Sequence, residues 1–388
     1  MTTRQFIEEH LHDDVRELAL KYRNAEVDMA LALRQIEARQ LLRKKVPSWS
    51  DNPDLLFPAH LSVEQCSSEA TAQYKASLLH GDSFADLTGG LGVDCHFISQ
   101  HFKTTDYVEL NPDLCALAKN NFNVLGSKIN VEDISAETYL NNCKPVDCVF
   151  IDPARRDHYG RKTVSIADCT PNVIELQDLM LQKTKKVMVK LSPMLDISKA
   201  LEELRHVSEV HVVAVANECK ELLFILEQGF EESPVFTCVN LQSEQPKVQF
   251  TQDEERNAAV ALAKEVSQYL YEPNAAVMKG GCYKLLTQRF GIQKLHRNSH
   301  LYTSDQLVAN FPGRIFTVDD WAPFNKKIKQ TLLAGVEKAS IATRNFPLSV
   351  AELRKSLKIT DGDKVFLFAT TLSDGRFILL KTAQLANN

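Results

Sequence analysis

Four acids each close a short apolar run: Asp86 in "SFADL", Glu109 in "TDYVEL", Asp133 in "KINVED" and Asp152 in "DCVFID". An apolar run that ends in an acid predicts a buried strand whose carboxylate emerges at its carboxyl end, the end at which parallel sheets bind ligands. Behind the first acid, "DLTGGLGVD" supplies Thr88, Gly89, Gly90 and Gly92. Glycines here bring backbone close to a ligand and free amides at a helix start, which suits a nucleotide-like cofactor. The spacing is not that of a dinucleotide fold, because Gly90-x-Gly92 continues to Cys95 where a glycine is required, so NAD is disfavoured. Glu109 ends the next run, 23 residues after Asp86, where an acid accepts hydrogen bonds from a ribose diol. The fourth acid opens "DPARRDHYGRK", which sets Pro153, Arg155 and Arg156 beside Asp152, with Arg161 and Lys162 just beyond.

Positioning these residues requires a sheet. From Phe84 to about Leu241 the eight runs "SFADL", "TDYVEL", "KINVED", "DCVFID", "KVMVKL", "VHVVAVA", "LLFILE" and "VFTCVNL" alternate with helical segments such as "PDLCALAKNNFNVL". The alternation predicts an α/β, mostly parallel doubly wound sheet with an antiparallel piece near its end. About 80 residues before it read as helical, with Met29, Leu33, Ile36 and Arg39 at helical intervals and a further amphipathic stretch from Ser62, with Gln65 in capping-box position, to Gly81. Beyond "QSEQPKVQFTQDEERN" the pattern predicts a long helix over about 254–270 and then an α+β region. That region finishes in "KVFLFATTLSDGRFILLKTA", two apolar runs joined through Ser-Asp-Gly as a hairpin.

The composition is that of a folded globular chain: 388 residues, 44% hydrophobic and 24% charged. No run reaches the ~18–20 apolar residues of a membrane span, and the polar start "MTTRQFIEEHLHDD" lacks a signal-peptide layout, so a cytoplasmic location and no membrane partner are expected. Nine scattered cysteines without a CxxC pair predict neither a disulfide framework nor a metal site. The net charge of −5 conceals an asymmetry. Residues 275–388 hold 17 Lys and Arg against 8 Asp and Glu, a net +9, which leaves 28 against 42, a net −14, for residues 1–274. In the basic third Lys326, Lys327, Lys329, Lys338, Arg344, Arg354, Lys355 and Lys358 alternate with Trp321, Phe324 and Phe346. This pattern fits a track for a phosphate backbone, and it also fits amphipathic helices with lysine on the wet face.

The "DLTGGLGVD" stretch resembles the first motif of class I S-adenosylmethionine-dependent methyltransferases, with Thr88 replacing the usual first glycine. That resemblance implies S-adenosylmethionine as cofactor. It places Asp133 near the adenine amine and Ile134 against the ring, and it gives the methionine end to the turn from Thr88 to Gly92, with Gln65, Ser68 and Glu69 closing over it. Methyltransferases of exocyclic amines carry Asp/Asn-Pro-Pro-aromatic after the fourth strand; Asp152-Pro153 matches, whereas Ala154-Arg155 does not. "DPAR" is also similar to a motif of uracil-C5 methyltransferases, but "VMVKLSP" lacks their attacking cysteine. Arg155 and Arg156 read as a phosphate clamp beside Asp152, while Arg161 and Lys162 fit that clamp and a solvated basic loop equally.

Over nearly its whole length, through "EQCSSEATAQYKA", "FIDPARRD", "NECKELL", "GCYKLL", "NSHLYTS" and "ATRNFPLSVAELRKSLK", the chain resembles a bacterial class I methyltransferase family with a C-terminal THUMP-like domain, its core similar to trimethylguanosine synthases. The resemblance implies a helical region over 1–80, a Rossmann-like methyltransferase domain over 81–245, a ferredoxin-like segment over 246–316 and a THUMP-like domain over 317–388. It implies RNA as partner and methyl transfer to a base nitrogen, against two alternatives: a protein or small-molecule methyltransferase, and a non-catalytic RNA-binding protein.

Overall fold

Cys148–Ile151 is buried at all four positions, the mark of a strand covered on both faces, and it lies inside a parallel sheet. The structure, a computed structural model, describes residues 1–22, 26–58, 60–154 and 166–385. They form two compact units, residues 1–208 with 222–232 and residues 209–221 with 233–388. The strands in chain order are β1 Ser83–Asp86, β2 Thr104–Glu109, β3 Ile129–Asp133, β4 Cys148–Ile151, β5 Lys186–Leu191, β6 Val207–Val215, β7 Glu218–Glu227, β8 Val235–Leu241 and β9 Val248–Thr251. They continue with β10 Tyr269–Pro273, β11 Gln293–Lys294, β12 Tyr302–Ser304, β13 Gly313–Pro323, β14 Ser340–Arg344, β15 Phe366–Thr371 and β16 Phe377–Gln384.

In the first unit the sheet runs β3-β2-β1-β4-β5-β7, parallel from β3 to β5, with β7 antiparallel to β5 over Leu222–Glu227. Parallel strands need crossovers, and the helices Val93–Ser99, Pro112–Val124, Ala136–Asn142 and Val173–Lys183 provide them. The second of these starts as its sequence dictates: Asn111 accepts the amides of Asp113 and Leu114, and Pro112 occupies the first turn. All eight runs expected between 84 and 241 are strands. β9 lies within the stretch read from sequence as a charged break.

The helical reading of the first 80 residues also holds. Phe6, Leu18, Ala32 and Ile36 join three helices, Thr3–Glu9, Val15–Lys21 and Met29–Lys45, in one apolar cluster. Arg39 is buried because its guanidinium donates to the carbonyls of Ser50, Asn52, Pro53 and Leu55. The stretch expected as one helix from Ser62 to Gly81 is two, His60–Gln65 and Glu69–Ala76. Ser68 begins the second by accepting the amide of Thr71.

In the second unit β6 and β8 are parallel, β9 is antiparallel to β8, and a further sheet runs β11-β12-β10-β13-β16-β15-β14. The expected Ser-Asp-Gly hairpin joins β15 and β16, with Gly375 at φ +89°. The helix expected over 254–270 stops at Asn257. Glu255 instead accepts the amides of Tyr283, Lys284 and Leu285, and the following chain runs beside β11 through bonds of Ala261 and Ala263 with Lys294. Tertiary partners therefore override a helical pattern. Among the described residues no helix is long and apolar enough to cross a membrane.

Gly313 opens β13 so close to β10 that an added Cβ would stand 2.1 Å from the carbonyl oxygen of Glu272. A Gly313→Ala variant is expected to lose about 1–3 kcal/mol of stability through this overlap, read as a lower midpoint in urea unfolding.

Candidate active site

The glycine turn is shaped by one buried ring. An added Cβ at Gly89 would lie 2.1 Å from the Tyr107 ring, and Tyr107 donates its hydroxyl to the carbonyl of Gly90 at 2.6 Å. Gly90 at φ +54° and Gly92 at φ +86° hold left-handed backbone that side chains rarely adopt, and Gly92 begins the helix Val93–Ser99. Asp86 is buried at the end of β1 and accepts the amide of Thr88 at 3.0 Å; burial pushes its carboxyl well above the usual range. Thr88, where a glycine is usual, uses its hydroxyl to accept the amide of Asp152 at 2.7 Å.

Beside the turn stand two further acids. Glu109 and Asp133 are register partners at the ends of β2 and β3. The carboxylate of Glu109 accepts the amides of Gly90 and Asn111, both at 2.9 Å, and so ties the turn to the start of the next helix. Asp133 is exposed, and Ile134 after it is half-buried. The structure thus brings Asp86, Thr88, Gly89, Gly90, Gly92, Glu109, Asp133, Ile134 and Asp152 to the carboxyl ends of β3, β2, β1 and β4.

Asp152 follows β4 and is half-buried, with buried Pro153 next. Ala154 then exchanges backbone bonds with Thr170 at 2.8 and 3.0 Å. Arg155 and Arg156, with Arg161 and Lys162, lie outside the described residues. Sequence reasoning missed the partner of Asp152, which is the ammonium of Lys190 on β5. Lys190 is also 3.9 Å from Asp94, which itself pairs with fully buried Lys75 at 3.1 Å and accepts the Ser67 hydroxyl at 2.7 Å. Burial alone would push Asp94 up, but Lys75, Lys190 and Ser67 together hold it below the usual carboxylate range. The signal in the sequence was a lysine inside the apolar run "VMVKL".

Gln65 ends its helix exposed, Ser68 caps the next one, and Glu69 accepts the amide and hydroxyl of Ser48 at 3.2 and 2.8 Å. In the basic third, Phe324 and Phe346 pack edge to face at 5.2 Å against an apolar cluster, and Trp321 packs on another beneath Arg376. All three aromatics are half-buried. Lys326, Lys327, Lys329, Lys338, Lys355 and Lys358 are exposed, whereas Arg344 pairs with Glu272 and Arg354 with Asp361. All nine cysteines are free, and no metal-ligating cluster occurs among the described residues.

The comparison with solved structures decides the family. A crystal structure of a candidate methyltransferase from Porphyromonas gingivalis W83 shares 33% identity over 99% of this chain and 98% of that one, with a TM-score of 0.88. The chain belongs to that family. The chain combines a class I methyltransferase sheet with a ferredoxin-like domain, matched over residues 269–312, and a THUMP domain-like segment, matched over residues 313–382. A class I S-adenosylmethionine-dependent candidate methyltransferase from Listeria monocytogenes is far more distant, at 12% identity over 62% of this chain and 93% of that one with a TM-score of 0.39, and adds nothing to the assignment. No functionally curated protein matches the chain by sequence.

Because the Tyr107 ring fills the space beneath Gly89, Gly89→Ala is expected to displace the ring, break its bond to Gly90 and cost about 1–3 kcal/mol of stability. The check is a thermal melt of the variant beside Tyr107→Phe, which removes only the hydroxyl and is expected to cost about 1 kcal/mol.

Proposed function

We propose that this protein transfers a methyl group from S-adenosylmethionine to a base nitrogen of RNA. The observation that carries the reading is the 2.7 Å bond between the Asp152 amide and the Thr88 hydroxyl, which sets an Asp-Pro acceptor motif directly against the glycine turn.

The residues present fit the cofactor. At Gly90 an added Cβ would meet nothing nearer than the Thr88 carbonyl at 3.8 Å, so the turn offers open, side-chain-free backbone. Glu109 would bind the ribose hydroxyls, Asp133 and Ile134 the adenine edge and face, and the Thr88 to Gly92 turn the methionine end, with Asp86 bracing the turn from below. When bound, the cofactor would supply an electrophilic methyl group for the acceptor nitrogen. Asp152 and the carbonyl of Pro153 accept the hydrogens of the amine and aim its lone pair, so the chain contributes alignment, which is most of what such a transfer needs. Arg155 and Arg156, which follow Ala154 in the sequence, would supply phosphate contacts.

RNA is favoured as partner by the THUMP domain-like segment over residues 313–382 and by the exposed lysines of the basic third. The reaction belongs in the cytoplasm, where RNA and cofactor are both at hand.

Calorimetry tests the cofactor assignment: wild-type protein binds S-adenosylmethionine, Glu109→Ala weakens it about ten- to a hundredfold, equivalent to about 1.5–3 kcal/mol, and Asp152→Ala leaves it within about threefold while abolishing transfer. Filter binding to total cellular RNA tests the partner. Phosphate contact predicts at least about a tenfold fall in affinity between about 50 and 200 mM salt, and a salt-independent or absent association would point to a protein or small-molecule acceptor.

A further inference from the structure

A line of alternating charge rises from the core to the proposed acceptor acid. Lys75, on the helix Glu69–Ala76, is fully buried, with its ammonium 3.1 Å from Asp94 and donating to the Ser67 hydroxyl at 3.2 Å. Asp94 sits in the first turn of the helix that Gly92 begins. Lys190 stands 3.9 Å from Asp94 and bonds Asp152 directly. Side-chain exposure climbs along this line from 0% at Lys75 through 11% at Asp94 and 12% at Lys190 to 36% at Asp152.

Neutralising Asp94 does not require Lys190 to reach Asp152, because Lys75 already lies closer to Asp94. What Lys190 adds is a connection. Its backbone is fixed inside the sheet, opposite Leu223 on β7 and one residue past the Val189–Ile151 register pair with β4. Asp94 is fixed by the helix start behind the glycine turn. A carboxylate bonded to an ammonium so placed has one oxygen, Oδ2, committed, while its own backbone amide is committed to Thr88. The carboxylate is thereby held in one orientation, with Oδ1 and the second lone pair of Oδ2 left for an incoming group.

We infer that Lys190 is the positioning residue of the acceptor site: it fixes the Asp152 carboxylate that orients the methyl acceptor and, through Asp94, ties that carboxylate to the glycine turn. The inference rests on the proposed methyltransferase reading and deepens it. Lys190 touches neither cofactor nor acceptor in this account; it acts through Asp152.

The test uses the full-length protein as Lys190→Met, Lys190→Arg, Asp152→Asn and the double variant Asp152→Asn with Lys190→Met. Two quantities are read: affinity for S-adenosylhomocysteine by calorimetry, and kcat and KM for methyl transfer to RNA from cells lacking the protein. A lost alignment of this kind predicts that Lys190→Met lowers kcat about 10²-fold, with KM and cofactor-product affinity changed less than about threefold. Lys190→Arg, which keeps the charge, recovers at least about tenfold of that loss. With Asp152 already replaced by Asn, the Lys190→Met change costs less than about threefold more, because the group it acted through is gone. The double variant leaves no unpaired charge at residue 152, so it carries the comparison should Lys190→Met fail to fold. A Lys190→Met protein with wild-type kcat, or a double variant at least tenfold worse than Asp152→Asn, overturns the inference and leaves the functional reading standing. A wild-type protein that neither binds the cofactor product nor methylates RNA overturns the functional reading and this inference together.

Discussion

The packing of Tyr107 beneath the glycine turn is the constraint from which the site geometry follows. The ring is fully buried and meets Phe122 edge to face at 5.5 Å, so it cannot retreat when the turn presses on it. A side chain at position 89 is thereby excluded, and at position 92 an added Cβ would come within 2.8 Å of the Phe122 ring. Burial, aided by Glu109 and Asp86, pushes the Tyr107 hydroxyl far above the usual phenol range, so it stays a donor to the Gly90 carbonyl at any ordinary pH. With that carbonyl held, the Gly90 amide is presented to Glu109, and the shelf of acids at the strand ends acquires a fixed position relative to the turn.

The second organising feature is the handling of buried charge. An ionised side chain taken out of water is stable only when paired and hydrogen-bonded. Lys75 and Lys190 both lie within ion-pair distance of Asp94 in a region with little access to solvent, and the pairing reaches Asp152. Asp86 takes the opposite course: burial raises its carboxyl, and its one bond from the Thr88 amide offsets that only in part. Neighbouring acids in one site thus carry different protonation tendencies, set by whether a cation lies within reach.

The parts of this organisation that periodicity encodes were legible in the sequence. The runs before Asp86 and Asp152 are strands buried on both faces, as their apolar residues demand, while those ending in Glu109 and Asp133 are less buried toward the sheet edge; all four acids fall at the ligand-binding end because parallel strands share a direction. Pairings that depend on distant segments were not legible. Nothing local reveals that Thr88 accepts from Asp152, that Lys190 pairs with it, or that Glu255 ends its own helix by gathering three amides from residues 283–285. Alternating lysines and aromatics in the basic third fit a phosphate track, and in the structure Phe324 and Phe346 also pack, half-buried, against an apolar cluster. Period alone does not distinguish those two roles.

The central claim is that the strand-end acids form one site for methyl transfer to an RNA base. Mass spectrometry of nucleosides from the RNA of cells with and without this protein tests it most directly. The account predicts that one methylated base, with its methyl on nitrogen, disappears in cells lacking the protein and returns with the wild-type gene but not with Asp152→Ala. An unchanged set of modified nucleosides would contradict the RNA assignment, and a lost methyl located on ribose would contradict the nitrogen acceptor.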